Sequence, residues 1–178
     1  MSTDWTEGYF PPGALSSVPE ADAFAASWYA SQLRALGEPS LRAAMAGACT
    51  AYRFLWLRTW GDPVAVRIER WPGAAPTLAA KGGYDPGALA LEETRPLAEA
   101  AWARFEALLA AAELDTIPAH GVEGLDGSQW IMEAVRQGAY RLVSRWTPAR
   151  HGRDAAFRRA CWFLVELSGL PVTDDDVE

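Results

Sequence analysis

Tyr52-Arg-Phe-Leu-Trp-Leu-Arg-Thr-Trp60, then Gly61-Asp62, then Pro63-Val-Ala-Val-Arg-Ile-Glu-Arg-Trp71 is the stretch whose reading decides the fold. Two runs rich in aromatic and β-branched residues, split by Gly-Asp, predict a β-hairpin. A two-residue loop would set Trp60 opposite Pro63, Leu57 opposite Val66, Trp56 opposite Arg67 and Leu55 opposite Ile68. One face of the ribbon then carries Leu55, Leu57, Val64, Val66 and Ile68, a core pattern. The other carries Tyr52, Phe54, Trp56, Arg58, Trp60, Arg67, Glu69 and Trp71, which mixes rings with charge.

A second hairpin is predicted at Gln129–Arg136 and Ala139–Thr147 about Gln137-Gly138, with Trp130 opposite Arg145 and Glu133 opposite Leu142. Pro76–Lys81 reads as a short edge strand, and Lys81-Gly-Gly-Tyr-Asp-Pro-Gly87 as a glycine-dense loop. Three helices are predicted. The first follows the capping box Ser17-Val-Pro-Glu20 and stops at Gly37, with Phe24, Trp28, Leu33 and Leu36 at helical spacing. A short helical piece, Leu41–Ala48, leads into the first hairpin. The second long helix spans about Arg95–Ala112 after Thr94, with Leu97, Ala101, Phe105, Leu108 and Ala112 on one stripe. The third spans Ala155–Ser168 after Asp154, ends at Gly169, and is apolar nearly all round from Ala160 onward. These elements predict a single α+β domain over residues 1–178, an antiparallel sheet of about five strands packed with three helices. The third helix is expected across the aliphatic sheet face. Residues 1–16 read as an irregular arm anchored by Trp5, Tyr9 and Phe10, and 171–178 as an acidic tail, disordered from Thr173 on.

Half of the 178 residues are hydrophobic, enough for a sizeable core. A net charge of -7 argues against a nucleic-acid or anionic-membrane binder. The charge is uneven, however. Between Glu133 and Ala160 seven arginines face only Glu133 and Asp154, whereas Asp85–Asp126 holds nine acids against Arg95 and Arg104. Neither a leader pattern nor an apolar run of membrane-spanning length is present, so a cytoplasmic location is expected.

The chemistry-bearing residue types do not form a recognised catalytic pattern. His120 and His151 lack ligands at metal spacing, so neither a metal nor a cofactor is expected. Cys49 and Cys161 read as buried small hydrophobes. Lys81, the sole lysine, fails the phosphate-loop pattern, since glycine does not precede it and no Ser or Thr follows. Glu69 and Glu133 lie in predicted strands and could act as acid and base on a shared sheet face. Alternatively each offsets a neighbouring arginine: Arg58 or Arg67 for Glu69, Arg141 or Arg145 for Glu133. The most suggestive constellation interleaves rings with arginines: Trp56, Arg58, Trp60, Arg67, Trp71, Trp130, Arg141, Arg145 and Trp146. Guanidinium–indole pairs of this kind contribute roughly 0.5–2 kcal/mol each and recur at interfaces and anion pockets. The same residues could instead staple the sheet to a covering helix.

Three segments carry a resemblance: Tyr52-Arg-Phe-Leu-Trp-Leu-Arg-Thr-Trp60, Gly124-Leu-Asp-Gly-Ser-Gln-Trp-Ile-Met-Glu133 and Tyr140-Arg-Leu-Val-Ser-Arg-Trp-Thr-Pro148. Together they resemble a group of small uncharacterised bacterial proteins with an Arg-Phe-Leu-Trp-Leu-Arg strand and a Gly-Leu-Asp-Gly-x-x-Trp turn and strand. The resemblance implies a bacterial source and supplies no catalytic residue. The expectation is a small non-catalytic binding or interaction module, immunity-like among the options. Its aromatic-arginine face (Trp56, Arg58, Arg67, Trp71, Trp130, Arg141, Arg145, Trp146), rimmed by Lys81 and Asp126, would meet another protein or a small anionic ligand. The alternative is a small hydrolase acting on an anionic substrate with Glu69 or Glu133 as base.

Overall fold

A computed structural model of the chain describes residues 8–42, 47–85, 88–121, 124 and 126–170, apart from the side chains of 84, 85 and 88–90. The order of elements is α1 (Pro19–Ala35), β1 (Thr50–Arg58), β2 (Val64–Arg70), β3 (Thr77–Asp85), β4 (Ala88–Pro96), α2 (Glu99–Ala111), β5 (Ser128–Arg136), β6 (Ala139–Trp146) and α3 (Ala155–Ser168). The fold is α+β. Its antiparallel sheet has six strands rather than about five, in the order β4-β3-β2-β1-β5-β6. The additional strand is β4, which follows the glycine-dense stretch and pairs with β3, itself continued through Gly82 to Asp85. Glycine lowers strand propensity, but at position 82 it fits the packing: a Cβ would lie 3.1 Å from Val64 Cγ2. β3 is therefore an inner strand, and the sheet edges are β4 and β6. Residues 1–7, part of the expected short helix at 43–46, and the tail 171–178 lie outside the described residues.

The second hairpin has the expected register, with Trp130 opposite Arg145 and Glu133 opposite Leu142. Its two turn residues, Gln137 and Gly138, both have positive φ (50° and 77°), the conformation that suits a two-residue hairpin loop. The first hairpin does not have the expected register. Trp56 pairs with Val64, not Arg67, because the connection runs from Thr59 to Pro63 and not over Gly61-Asp62 alone. Arg58 folds back over it, its Nη2 donating to the Asp62 carbonyl at 3.1 Å, and a Cβ on Gly61 would meet the guanidinium at 2.9 Å. The three-residue offset is odd, and side chains alternate along a strand, so the faces expected for β1 and β2 are exchanged relative to each other.

One sheet face therefore carries Tyr52, Phe54, Trp56, Val64, Val66, Ile68, Leu78, Trp130, Met132 and Val143, and α2 and α3 cover it. The other carries Leu55, Leu57, Ala65, Ile131 and Leu142, which lie under α1 with Phe10 and Leu15. The result is three layers, α1 on one side of the sheet and the α2–α3 pair on the other. Each large side chain so buried contributes roughly 1.5–3 kcal/mol. α3 thus lies over the face that holds the rings, not over a purely aliphatic one.

The helix ends show what local sequence can specify. Gly169 stops α3 in the left-handed conformation, φ 70°. Pro19 opens α1, but no side-chain cap forms at its start. Instead Asp22 turns back and accepts from the backbone N–H groups of Gly13, Leu15 and Ser16. Burial opposes the Asp22 charge, yet these three donors hold its carboxyl below the ordinary value of 3.8. Ala26, Tyr29, Ala30 and Leu33 form the buried face of α1, whereas Phe24 and Trp28 are exposed. Since α1 presents Phe24 and Trp28 to solvent, the expected stripe is only half correct.

Candidate functional site

The offset in the first hairpin separates the rings from several of the arginines. Trp56 and Trp130 are fully buried side by side, centroids 5.9 Å apart, and Trp162 of α3 packs on both. Trp130 Nε1 donates to Ser128 Oγ at 2.8 Å, and Arg58 lies over the Trp56 ring, 4.8 Å from its centroid. Trp71 is half-exposed at the β2–β3 turn. Arg141 and Arg145 remain on the helical face, where they bind loop carbonyls. Arg141 donates to Leu114 and Ile117, and Arg145 to Pro118 at 2.8 Å while pairing with Asp154 at 3.0 Å. Trp146 Nε1 donates to the Asp126 carbonyl at 3.1 Å. A Cβ on Gly124 would collide with that same Nε1, so glycine there lets the backbone approach the indole. The ten expected binding residues are therefore distributed over both sheet faces and one loop end, and do not share a surface.

Arg67 and Lys81 belong to a buried polar cluster on the α1 side, where the chain leaving α1 crosses the sheet. Arg53, fully buried, donates to Glu133 from Nε at 2.7 Å, and its Nη2 lies 2.6 Å from the same carboxylate oxygen. Tyr140 donates to the other Glu133 oxygen at 2.8 Å. Burial and the Glu133 charge push the Tyr140 hydroxyl well above its ordinary pKa. Glu38 accepts from Arg67 Nε at 3.0 Å and lies 3.7 Å from Arg53 and 3.6 Å from Lys81. Arg67 also pairs with Glu69. Burial opposes the Arg67 charge, but Glu38 and Glu69 outweigh it and hold the guanidinium above its ordinary pKa. Lys81 Nζ donates to the Gly37 carbonyl at 2.8 Å. Of the partners expected for the strand carboxylates, Arg67 is observed for Glu69, whereas Arg53 takes the place of Arg141 or Arg145 beside Glu133. The cluster is charge-matched, Arg53, Arg67 and Lys81 against Glu38, Glu69 and Glu133. It locks the α1–β1 connection onto the sheet.

The open concavity of basic character lies elsewhere, between α2 and α3. It has a volume of about 300 Å³ and is lined by Arg104 and Leu108 from α2, Arg150 from the preceding loop, and Ala155, Arg158, Arg159, Trp162, Phe163 and Glu166 from α3. α2 packs against α3, with Arg104 lying 4.9 Å from the Phe163 ring centroid, while Arg95 of β4 donates to the Leu167 carbonyl near the end of α3. Along α3, Ala155, Arg159, Trp162 and Glu166 fall on one stripe. Arg158 is buried and spans from the Pro148 carbonyl, at 2.7 Å, to the Trp130 ring. Arg150 and Arg158 have further interactions. Arg104 and Arg159 have no carboxylate within salt-bridge distance among the described residues. Apolar side chains thus form a floor and guanidinium groups the walls. Sequence reading registered the arginine surplus of residues 133–160 without locating this groove. The available signal was the α3 stripe Ala155, Arg159, Trp162 and Glu166, which sets two charged residues on one face of a mostly apolar helix.

A second concavity of about 550 Å³, at Tyr52 and the α2 C-terminus, has acidic walls: Glu106, Glu113 and Asp115, with Arg136 pairing to Asp115. Its electrostatics oppose an anion. Among the described residues no cluster of three or more His, Cys, Asp or Glu could hold a metal. Cys49 and Cys161 are buried and unpaired, and burial raises both thiols, opposing the thiolate form. No helix among the described residues is long and apolar enough to cross a membrane. No protein-family model and no curated protein matches the chain.

Proposed function

We propose that this protein is a small non-catalytic binding module that takes an anionic ligand, or an anionic stretch of a partner protein, in the groove between α2 and α3. The observation that carries the reading is the gathering of Arg104, Arg150, Arg158 and Arg159 around one apolar-floored concavity of a chain with net charge -7. Guanidinium groups bind carboxylates and phosphates through paired N–H donors, and a local basic groove on an acidic molecule attracts anions selectively by position. The hydrolase alternative has less to support it. Glu133 is committed to Arg53 and Tyr140, and Glu69 to Arg67, so each carboxylate already serves as an ion-pair partner.

Differential scanning fluorimetry with di- and tricarboxylates, phosphates and acidic peptides tests the proposal against an Arg104→Glu/Arg159→Glu variant. A bound member at a hundred times its dissociation constant should add about 2.7 kcal/mol of stability. That gain should disappear in the variant and shrink with added salt. A gain that the charge reversal leaves intact, or no gain across the panel, would refute the groove as the recognition face.

A further inference from the structure

We infer that the groove between α2 and α3 takes an amphoteric small molecule, with its anionic end at Arg104 and Arg159 and a cationic end at Glu166. The inference rests on the reading of the groove as an anion-binding face and deepens it by naming the chemistry of the ligand's other end.

The spacing of charge along α3 supports it. Arg159 and Glu166 both line the groove and are exposed, and neither has an ion-pair partner among the described residues. Opposite charges on one helix pair when they lie three or four residues apart. These two are seven apart, about 10 Å along the axis at 1.5 Å per residue. Every residue at pairing distance from either is uncharged, and Trp162 and Phe163 are at that distance from both. The two charges therefore frame an aromatic floor and are not answered within their own helix.

The floor is held from behind. Trp162 stacks on Trp130 with centroids 6.3 Å apart and meets Trp56 edge-on at 6.0 Å; both of those rings are fully buried, while Trp162 keeps part of its surface exposed. From α2, Arg104 lies 4.9 Å from the Phe163 ring centroid, which sets a second guanidinium over the same floor. Glu166 is the sole carboxylate among the described residues that line the groove. A dianion spanning the floor would bring its second charge against Glu166. A ligand with an ammonium or guanidinium there makes a second charge-assisted contact instead, with its apolar middle on Trp162 and Phe163. The volume of about 300 Å³ falls at the lower end of the range for small-molecule sites.

Isothermal titration calorimetry at low ionic strength tests this with 8-aminooctanoate, octanoate and octanedioate, whose extended chains are about 10 Å long. 8-Aminooctanoate should bind about fivefold more tightly than octanoate, and more tightly than octanedioate. Glu166→Gln should bring it down to the affinity of octanoate, and Arg104→Gln with Arg159→Gln should abolish its binding. An amino acid no tighter than octanoate, or an advantage that survives Glu166→Gln, overturns the proposal. If octanoate and octanedioate bind through the arginines and the amine adds nothing, the amphoteric reading falls while the groove reading stands. If none of the three binds, the amphoteric reading again falls, and the charge-reversal fluorimetry decides the groove reading separately. A blocked peptide Asp-Ala-Ala-Lys sets its two charged residues about 10 Å apart when extended. Binding of that peptide through Glu166, without binding of 8-aminooctanoate, would make the occupant a protein segment and overturn the small-molecule form.

Discussion

Arg53 and Glu133 come from strands eighty residues apart, yet they pair in the middle of the sheet, with no exposure to water. Two charges removed from water cost several kcal/mol each unless geometry and extra hydrogen bonds offset that loss. Here the offset is visible: two guanidinium contacts to one carboxylate oxygen and the Tyr140 hydroxyl on the other. Removing one partner leaves the other charged and buried. Arg53→Met alone should therefore lower unfolding free energy by about 3–5 kcal/mol in urea titrations. Arg53→Met with Glu133→Leu should recover most of that loss. If the double variant were no more stable than the single, the damage would arise from packing and not from the stranded charge.

At the scale of elements, α1 shows how far an amphipathic pattern misleads. Phe24 and Trp28 are 74% and 45% exposed, while Leu33 is completely buried between α1 and the sheet. Replacing both exposed rings by serine should change stability by no more than about 0.5 kcal/mol, whereas Leu33→Ala should cost about 2–5 kcal/mol. Thermal melts of the two variants make the comparison; a large loss on the serine side would mean that these rings are covered. The two hairpins differ in legibility for a related reason. Gln137-Gly138 fixes its own register because two positive-φ residues close a two-residue loop. Gly61-Asp62 has the same local signature, but the Arg58 side chain claims the Asp62 carbonyl and opens the loop to five residues. A local side-chain contact within the connection accompanies the wider loop, and the faces exchange. The groove was illegible for another reason. Arg104 is distant in sequence from Arg150 and Arg159, and only the packing of α2 on α3 brings them together. The class of fold, the third helix with its glycine stop and the second hairpin needed no such long-range information.

For the whole molecule, coverage sets the ranking of local stabilities. β1, β2 and β5 lie inside the sheet with helices on both faces, whereas β4 is an edge strand paired with β3 alone. Opening an edge strand exposes little apolar surface, and opening a central one disrupts all three layers. Hydrogen-exchange mass spectrometry should find peptides covering residues 50–58 and 128–136 the slowest to exchange and residues 88–96 the fastest of the sheet. Comparable protection across all six strands would instead indicate that the sheet opens only by global unfolding.

Lys81 gives the buried cluster a practical use. It is the sole lysine of the chain, its side chain is 12% exposed, and its ammonium is held on the Gly37 carbonyl and the Glu38 carboxylate. A bound, protonated ammonium is a poor nucleophile, so amine-directed reagents have one side-chain target and it is guarded. Covalent labelling at that position therefore becomes a clock for the release of the α1–β1 connection, readable by intact mass without introducing any probe.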